Sequence, residues 1–322
     1  FIIILLYTDL SAQQNTFIRT YNLPGMNGGL ALAVMEDGGF VGTGQHADGG
    51  CKIYAYRIDE CGNIIWFNLY NAGGGVAIDA TFDNGVIIAA DSRRLLKIDS
   101  LGNPEWEKSY SSVGGYMTSV IQTSDSGYFA GGEGGQLLKL DTLGEVIWSA
   151  DVAGSKIHAL DEFPNGDLMY LSWDGSTFWV GRTSSQGVLI WENQYSPGSS
   201  TGDSHNDWAG EALIDTNLNH IVVATNSSNG SGDVLVTSID YNGNIIISNA
   251  FGSLSYSEFV RSIDMTDDGG YIIGGGTYGH NTTSTSVLTQ SIGLSPENLS
   301  DRDILLFKVS PTIDFEWSSV IG

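Results

Sequence analysis

The sequence predicts an all-β fold of repeated four-stranded units, and three observations carry the prediction. A turn ending in tryptophan recurs along the chain, an Asx-Gly pair precedes it in nearly every unit, and no segment sustains a helical period. Composition agrees. The 43 glycines with only 6 prolines and no Gly-X-Y period indicate many tight turns, and 41% hydrophobic residues suffice for a buried core.

The first signature, Asp59-Glu60-Cys61-Gly62-Asn63-Ile64-Ile65-Trp66, returns as Asp99 to Trp106 and as Asp141 to Trp148. Weaker copies end at Trp191, Ile247 and Trp317, so the spacings are 40, 42, 43, 56 and 70 residues. A period of about 40 with insertions is the length of one β-propeller blade. The second signature is Asp37-Gly38-Gly39, Asp83-Asn84-Gly85, Asp125-Ser126-Gly127, Asn165-Gly166-Asp167 and Asp268-Gly269-Gly270, replaced in the fifth unit by Asn217-Leu218-Asn219-His220. These Asx-Gly pairs are expected to supply the positive φ of tight hairpins. Each unit therefore reads strand a, Asx-Gly turn, strand b, variable loop, strand c, Asp-x-x-Gly turn, strand d.

At the N-terminus, the apolar run Phe1 to Tyr7 is too short to span a bilayer as a helix, and Leu10-Ser11-Ala12 reads as a small-residue cleavage site. Residues 1–12 are read as the remnant of an export signal and 13–322 as the propeller; a buried first strand is the alternative for the apolar run. Residues 16–22 match Ile65 to Asn71 and form an orphan strand d. Six full units follow, which predicts seven blades when complete, the missing strands being encoded after Gly322. In the six-bladed alternative, residues 16–22 fill the outer slot of unit six.

The charge excludes several functions. With 37 acidic and 13 basic residues the net charge is −24, which opposes binding to nucleic acid or to anionic lipid. No membrane insertion is expected. Cys51 and Cys61 would lie about 30 Å apart along an extended strand, so both are expected as thiols.

Every sizeable insertion falls in a b–c or d–a connection: residues 45–50, 196–210, 226–233 and 277–302. Loops confined to one edge are where propellers carry binding sites. The candidate residues there are His46, Asp203, His205, Asp207, Trp208, His280, Glu297, Asp301 and Arg302. Asp203, His205 and Asp207 suit a metal or a carbohydrate, with Trp208 as a stacking platform; a solvated polar loop is the plainer reading. No cofactor is expected, and a structural divalent cation such as calcium stays open. By contrast Trp66, Trp106, Trp148, Trp191 and Trp317 share one repeat position, which packing between blades explains. Asp59, Asp99, Asp141 and Asp240 serve their own turns. Arg57, at the position of Lys97, Lys139 and Lys308, is a strand residue, and His158 and His220 are read as satisfied structural histidines. Gly131 to Gly135 lacks the Lys-Ser/Thr of a phosphate loop.

The stretches DGGYIIGGG (268–276) and LLKLDTLGEVIW (137–148), with the SAQ leader end, resemble the Gly-rich propeller repeats of secreted Bacteroidota proteins, many of which use type IX secretion. The resemblance implies a secreted or cell-surface protein and specifies no activity. Quinoprotein propellers share a similar Asp-x-x-x-Gly-x-x-x-Trp turn but add a vicinal disulfide and calcium ligands with no counterpart here. Sialidase Asp-boxes are spaced differently. Two function classes remain: a non-catalytic platform for a glycan or protein ligand, and a hydrolase or lyase acting on polysaccharide through carboxylates such as Asp203 or Asp207 with Glu297.

Overall fold

A computed structural model describes residues 26–46, 52–71, 73–175, 177–195, 210–226, 233–252, 257–278 and 302–321. They form a β-propeller fold of six four-stranded antiparallel blades, with no helix among the described residues. Blade 1 holds β1 (Met26–Val34), β2 (Phe40–His46), β3 (Lys52–Ile58) and β4 (Ile64–Tyr70). Blade 2 holds β5 (Gly75–Ala80), β6 (Val86–Ala90), β7 (Arg94–Ile98) and β8 (Pro104–Ser109). Blade 3 holds β9 (Met117–Gln122), β10 (Tyr128–Gly132), β11 (Gln136–Leu140) and β12 (Val146–Asp151). These make one compact unit, residues 1–152. The second unit, residues 153–322, contains the other three blades. Blade 4 is β13 (Lys156–Glu162), β14 (Leu168–Trp173), β15 (Phe178–Thr183) and β16 (Leu189–Tyr195). Blade 5 is β17 (Gly210–Asp215), β18 (His220–Asn226), β19 (Val234–Asp240) and β20 (Ile245–Phe251). Blade 6 is β21 (Ser257–Met265), β22 (Tyr271–Tyr278), β23 (Arg302–Val309) and β24 (Phe315–Ile321).

Alternation along the strands fills the seams between blades. In blade 2, Ile88 and Leu96 pack with Val41 and Ile53 of blade 1, while Ile87 and Leu95 pack with Val120 and Leu138 of blade 3. Blades 4 and 5 share a seam of Met169, Leu171, Val180, Ile221 and Ile239, and blades 5 and 6 one of Val222, Val236, Tyr271 and Phe307.

The a–b turns bear the expected positive φ and show which residue of each signature carries it. The positive-φ residue is Gly38, Gly166 or Gly269 in blades 1, 4 and 6, but Asn84 and Ser126 in blades 2 and 3. The glycine that follows in four blades has another purpose. A β-carbon on Gly39, Gly85, Gly127 or Gly270 would come within 2.2–2.5 Å of the carbonyl oxygen of Ile58, Ile98, Leu140 or Val309 on strand c. The turn aspartate then receives a strand-c cation: Arg57 to Asp37 at 2.7 Å, Lys97 to Asp83 and Lys139 to Asp125 at 2.8 Å, and Lys308 to Asp268. Blade 4 shifts the acid two places, to Asp167 beneath Arg182. Blade 5 has neither partner, and His220 Nδ1 meets Ser238 Oγ at 3.0 Å instead. The reading of Arg57 as a strand residue is thus borne out, as is that of His220.

The c–d aspartates cap their own turns. Asp59 Oδ1 accepts from the N–H groups of Cys61 and Asn63, and Asp99, Asp141 and Asp240 repeat the pattern. No disulfide forms among the described residues; Cys51 lies outside them. Residues 1–25, including the proposed leader and the orphan strand, also lie outside. The slot beside strand c of blade 6, which the six-bladed alternative gave to residues 16–22, is filled by β24, which places Ser319 opposite Leu306.

Candidate functional site

The strand limits put each insertion where the sequence reading placed it, in the b–c connections of blades 1, 5 and 6 and between blades 4 and 5. Of the nine candidate residues, two fall on described strands. His46 ends β2 opposite Lys52 and is buried, a strand residue and not the loop residue expected. Arg302 opens β23 opposite Tyr278, at the b–c edge of blade 6. Asp203, His205, Asp207, Trp208, His280, Glu297 and Asp301 lie outside the described residues.

The innermost strands add a feature that the sequence reading missed. Strand a carries a β-bulge at Leu30, Val76, Thr118, His158 and Arg261, each five residues before its turn, and blade 5 alone is regular there. A bulge re-aims one side chain and frees it from the ladder. At four of the bulges that side chain is aliphatic, a threonine or an arginine; in blade 4 it is a histidine. The Nε2 atom of His158 is buried and has no hydrogen-bond partner, so the expectation of a satisfied histidine fails. Burial, helped by the nearby Lys156 charge, lowers its pKa to about 3. The imidazole is neutral at physiological pH.

Around it stands an aromatic group. The Trp173 ring meets His158 edge-on at 6.2 Å and stacks on Phe178, its cross-strand partner, at 6.3 Å. Phe178 is buried against blade 5, where its ring edge lies 3.1 Å from the place a β-carbon on Gly210 would take. Trp173 is half-buried and keeps part of its surface open. Trp179 points to the opposite sheet face, its indole N–H 3.5 Å from Asp174 Oδ2.

Gly210 is followed by Glu211 on β17. The residue retains some accessible surface, yet its carboxyl group is desolvated, and together with the Asp161 charge this raises its pKa to about 8. It is therefore largely protonated at neutral pH. Asp161 on β13 is also raised by burial, but Oδ2 accepts the Ile214 N–H and Oδ1 the Glu162 N–H, both at 2.7 Å. That bond sets the two a strands side by side, with His158 three residues before Asp161 and Glu211 three before Ile214. Asp79 accepts the Gln122 N–H in the same way between blades 2 and 3.

Glu211, on the strand face that it shares with Leu213 and Asp215, is turned towards blade 6, so the neutral imidazole and the indole meet without it, at the end of blade 4 that leads into residues 196–209. Such a group can donate and accept hydrogen bonds and offer an aromatic surface. No group of three or more metal-ligating side chains occurs among the described residues. Nor is any helix among them long and apolar enough to cross a membrane. One signal for this place was present in the sequence. Of eight tryptophans, five hold the repeat position, and the remaining three, Trp173, Trp179 and Trp208, fall within 36 residues of each other.

No family model matches the chain, and no curated protein does. Solved structures do. A protein of unknown function from Bacteroides caccae matches with a TM-score of 0.52 at 14% identity, over 86% of this chain and 93% of that one. The WD40 β-propeller domain of Doa1 matches with a TM-score of 0.58 at 11% identity, over 78% of this chain and 76% of that one. At these identities the likeness shows the β-propeller fold alone.

Proposed function

We propose that the protein is a non-catalytic binding platform, exported and acting at or beyond the cell surface, which engages a glycan or protein ligand through the b–c and d–a edge of blades 4 to 6. One observation carries this reading: His158 and Trp173, neither of which has a role in the repeat, meet at the edge of blade 4 from which the connection bearing Asp203, His205, Asp207 and Trp208 departs. The opposite edge is occupied by short turns that satisfy themselves, and its charged residues are spent on the hairpins. Catalysis by Asp161 is disfavoured because both its carboxylate oxygens hold backbone N–H groups.

The test uses the labelled chain on glycan and protein arrays. Deleting residues 279–301, or making Trp208→Ala, should abolish binding and leave the melting temperature within a few degrees. Release of new reducing ends from any bound polysaccharide would overturn the non-catalytic reading, and binding that survives both changes would overturn the choice of edge.

A further inference from the structure

We infer that the c–d turn of blade 1 is the docking surface for residues 16–22 of the same chain, with Phe17 over Gly62, the Tyr21 hydroxyl on the Gly62 carbonyl oxygen and Arg19 against Glu60. A contact repeated between the other blades carries this. Strand d of one blade reaches the c–d turn of the next with side chains at alternate positions, so one strand face covers one turn. Tyr70 donates to the Gly102 carbonyl at 2.7 Å, Tyr110 to that of Gly144 at 2.9 Å and Tyr195 to that of Gly243 at 2.7 Å. Four residues before each tyrosine stands a tryptophan, Trp66, Trp106 or Trp191, whose ring lies over the same glycine.

Residues 16–22 present the same positions, Phe17 for Trp66, Arg19 for Asn68 and Tyr21 for Tyr70. Gly62 follows Tyr21 by 41 residues, within the 32 to 48 that separate the other tyrosines from their glycines. It has φ +78°, against +83°, +75° and +85° at Gly102, Gly144 and Gly243, and it is buried as they are. Charge matches the segment to this turn. The residue between tryptophan and tyrosine is Asn68 or Asn193 where the turn, 99–103 or 240–244, has no glutamate, and each asparagine donates to the glycine carbonyl. In blade 2 it is Lys108, which pairs with Glu145 beside Gly144. The turn of blade 1 holds Glu60, and the segment that precedes β1 brings Arg19. A cation thus stands at this position where the turn supplies an acid to receive it. Phe17 lacks the indole N–H that Trp66 gives to the Ser100 carbonyl, so ring packing, the Tyr21 hydroxyl and the Arg19 charge hold the segment.

The experiment is hydrogen–deuterium exchange of the full chain, read by mass spectrometry on peptides covering residues 16–22 and 59–63. Amides of 16–22 should exchange roughly a hundredfold or more slowly than in a free peptide of that sequence. Phe17→Ala and Tyr21→Ala should each quicken exchange at 59–63 by about tenfold, and Gly62→Val should do the same at 16–22. Gly269→Val puts the same side chain on a turn glycine near only Pro311, and should leave 16–22 unchanged. Arg19→Glu should quicken exchange in both peptides, and adding Glu60→Lys should restore it. These charge variants leave the turn backbone as it is, so they decide the matter if Gly62→Val unfolds blade 1. Exchange of 16–22 at the free-peptide rate, protection there that none of the changes alters, or no rescue by the charge swap overturns the docking.

Discussion

The indole of Trp66 lies 3.0 Å from where a β-carbon on Gly102 would stand, and its N–H donates to Ser100 in the same turn of the next blade at 3.1 Å. Trp106 meets Gly144 and Trp191 meets Gly243 in the same way, at 2.9 and 3.0 Å. Asn68 and Tyr70, like Asn193 and Tyr195, then donate to the carbonyl of that glycine. The tryptophan of one blade therefore clasps the c–d turn of the following one. The glycine is required twice over, by positive φ and by the ring above it.

These two requirements separate in a pair of substitutions. Gly243 has φ +85° and sits under Trp191 and Asn193, while Gly269 has φ +83° and finds only Pro311, at 3.7 Å. Gly269→Ala should cost about 1 kcal/mol, the left-handed strain alone. Gly243→Ala should cost about 3 kcal/mol, since overpacking adds to it. Urea denaturation of both variants checks the difference, and equal losses would show that the clasp is loose.

Blades 5 and 6 exchange both partners. Ile247 stands where the tryptophan would be, and Ile313, fully buried, takes the glycine's place at φ +58°, with Asn249 still donating to its carbonyl. A β-branched residue there is strained by about 1–2 kcal/mol, offset by the space that the smaller Ile247 leaves. Ile313→Gly and Ile247→Trp should each destabilise the protein, by cavity and by clash. The double variant should recover at least about 1 kcal/mol relative to their sum. Additive losses would refute the exchange.

The turn residues and tryptophans were legible because repetition exposes them: Asp59, Gly62 and Trp66 recur in step, and the strands between them alternate. The insertion limits followed from the same count. What could not be read was anything that depends on contact between strands of different blades. Gly85 looks like a turn glycine, yet its purpose is to leave room for the Ile98 carbonyl oxygen, which a β-carbon would approach to 2.2 Å, while Asn84 carries the positive φ. His158 looks like an ordinary strand histidine, and only the bulge opposite Ser172 and Leu171 shows that it is turned out of the ladder. Glu211 gives no local sign that its carboxyl group is desolvated in the fold.

The strand-c cations should show the asymmetry of half-buried ion pairs. Lys139 is 4% exposed and Asp125 57%. Removing the acid strands a buried ammonium, so Asp125→Ala should cost about 2 kcal/mol after allowing for solvent at the acid. Lys139→Met removes the charge with its desolvation and should stay within about 1 kcal/mol of the parent. Burial opposes ionisation of Asp125, but the hydrogen bonds from Lys139, Thr123 and the Gly127 N–H, with the Lys139 charge, together outweigh it and lower the pKa. The acid's contribution is thus complete above the unfolded carboxylate pKa, about 4, and is lost as pH falls through the lower folded value. Denaturation at pH 7 and pH 3 should show the Asp125→Ala deficit shrinking at the acid end.

Glu211 has the opposite sign. Its carboxyl group titrates near 4.5 when unfolded and is raised to about 8 in the fold, so between these values the native state holds a proton that the unfolded chain has released. Stability is favoured below pH 4.5 and falls as pH rises towards 8, at about 1.4 kcal/mol per pH unit from this group. Glu211→Gln abolishes the titration and keeps the shape. The parent should therefore equal or exceed the variant in stability near pH 4.5, and fall progressively behind it by pH 8. Subtracting the two urea-derived stability curves cancels every other ionisable group, leaving a line that slopes downward across the window and flattens above it. A flat difference would mean that water reaches the carboxyl group and that Glu211 is not held protonated in the fold.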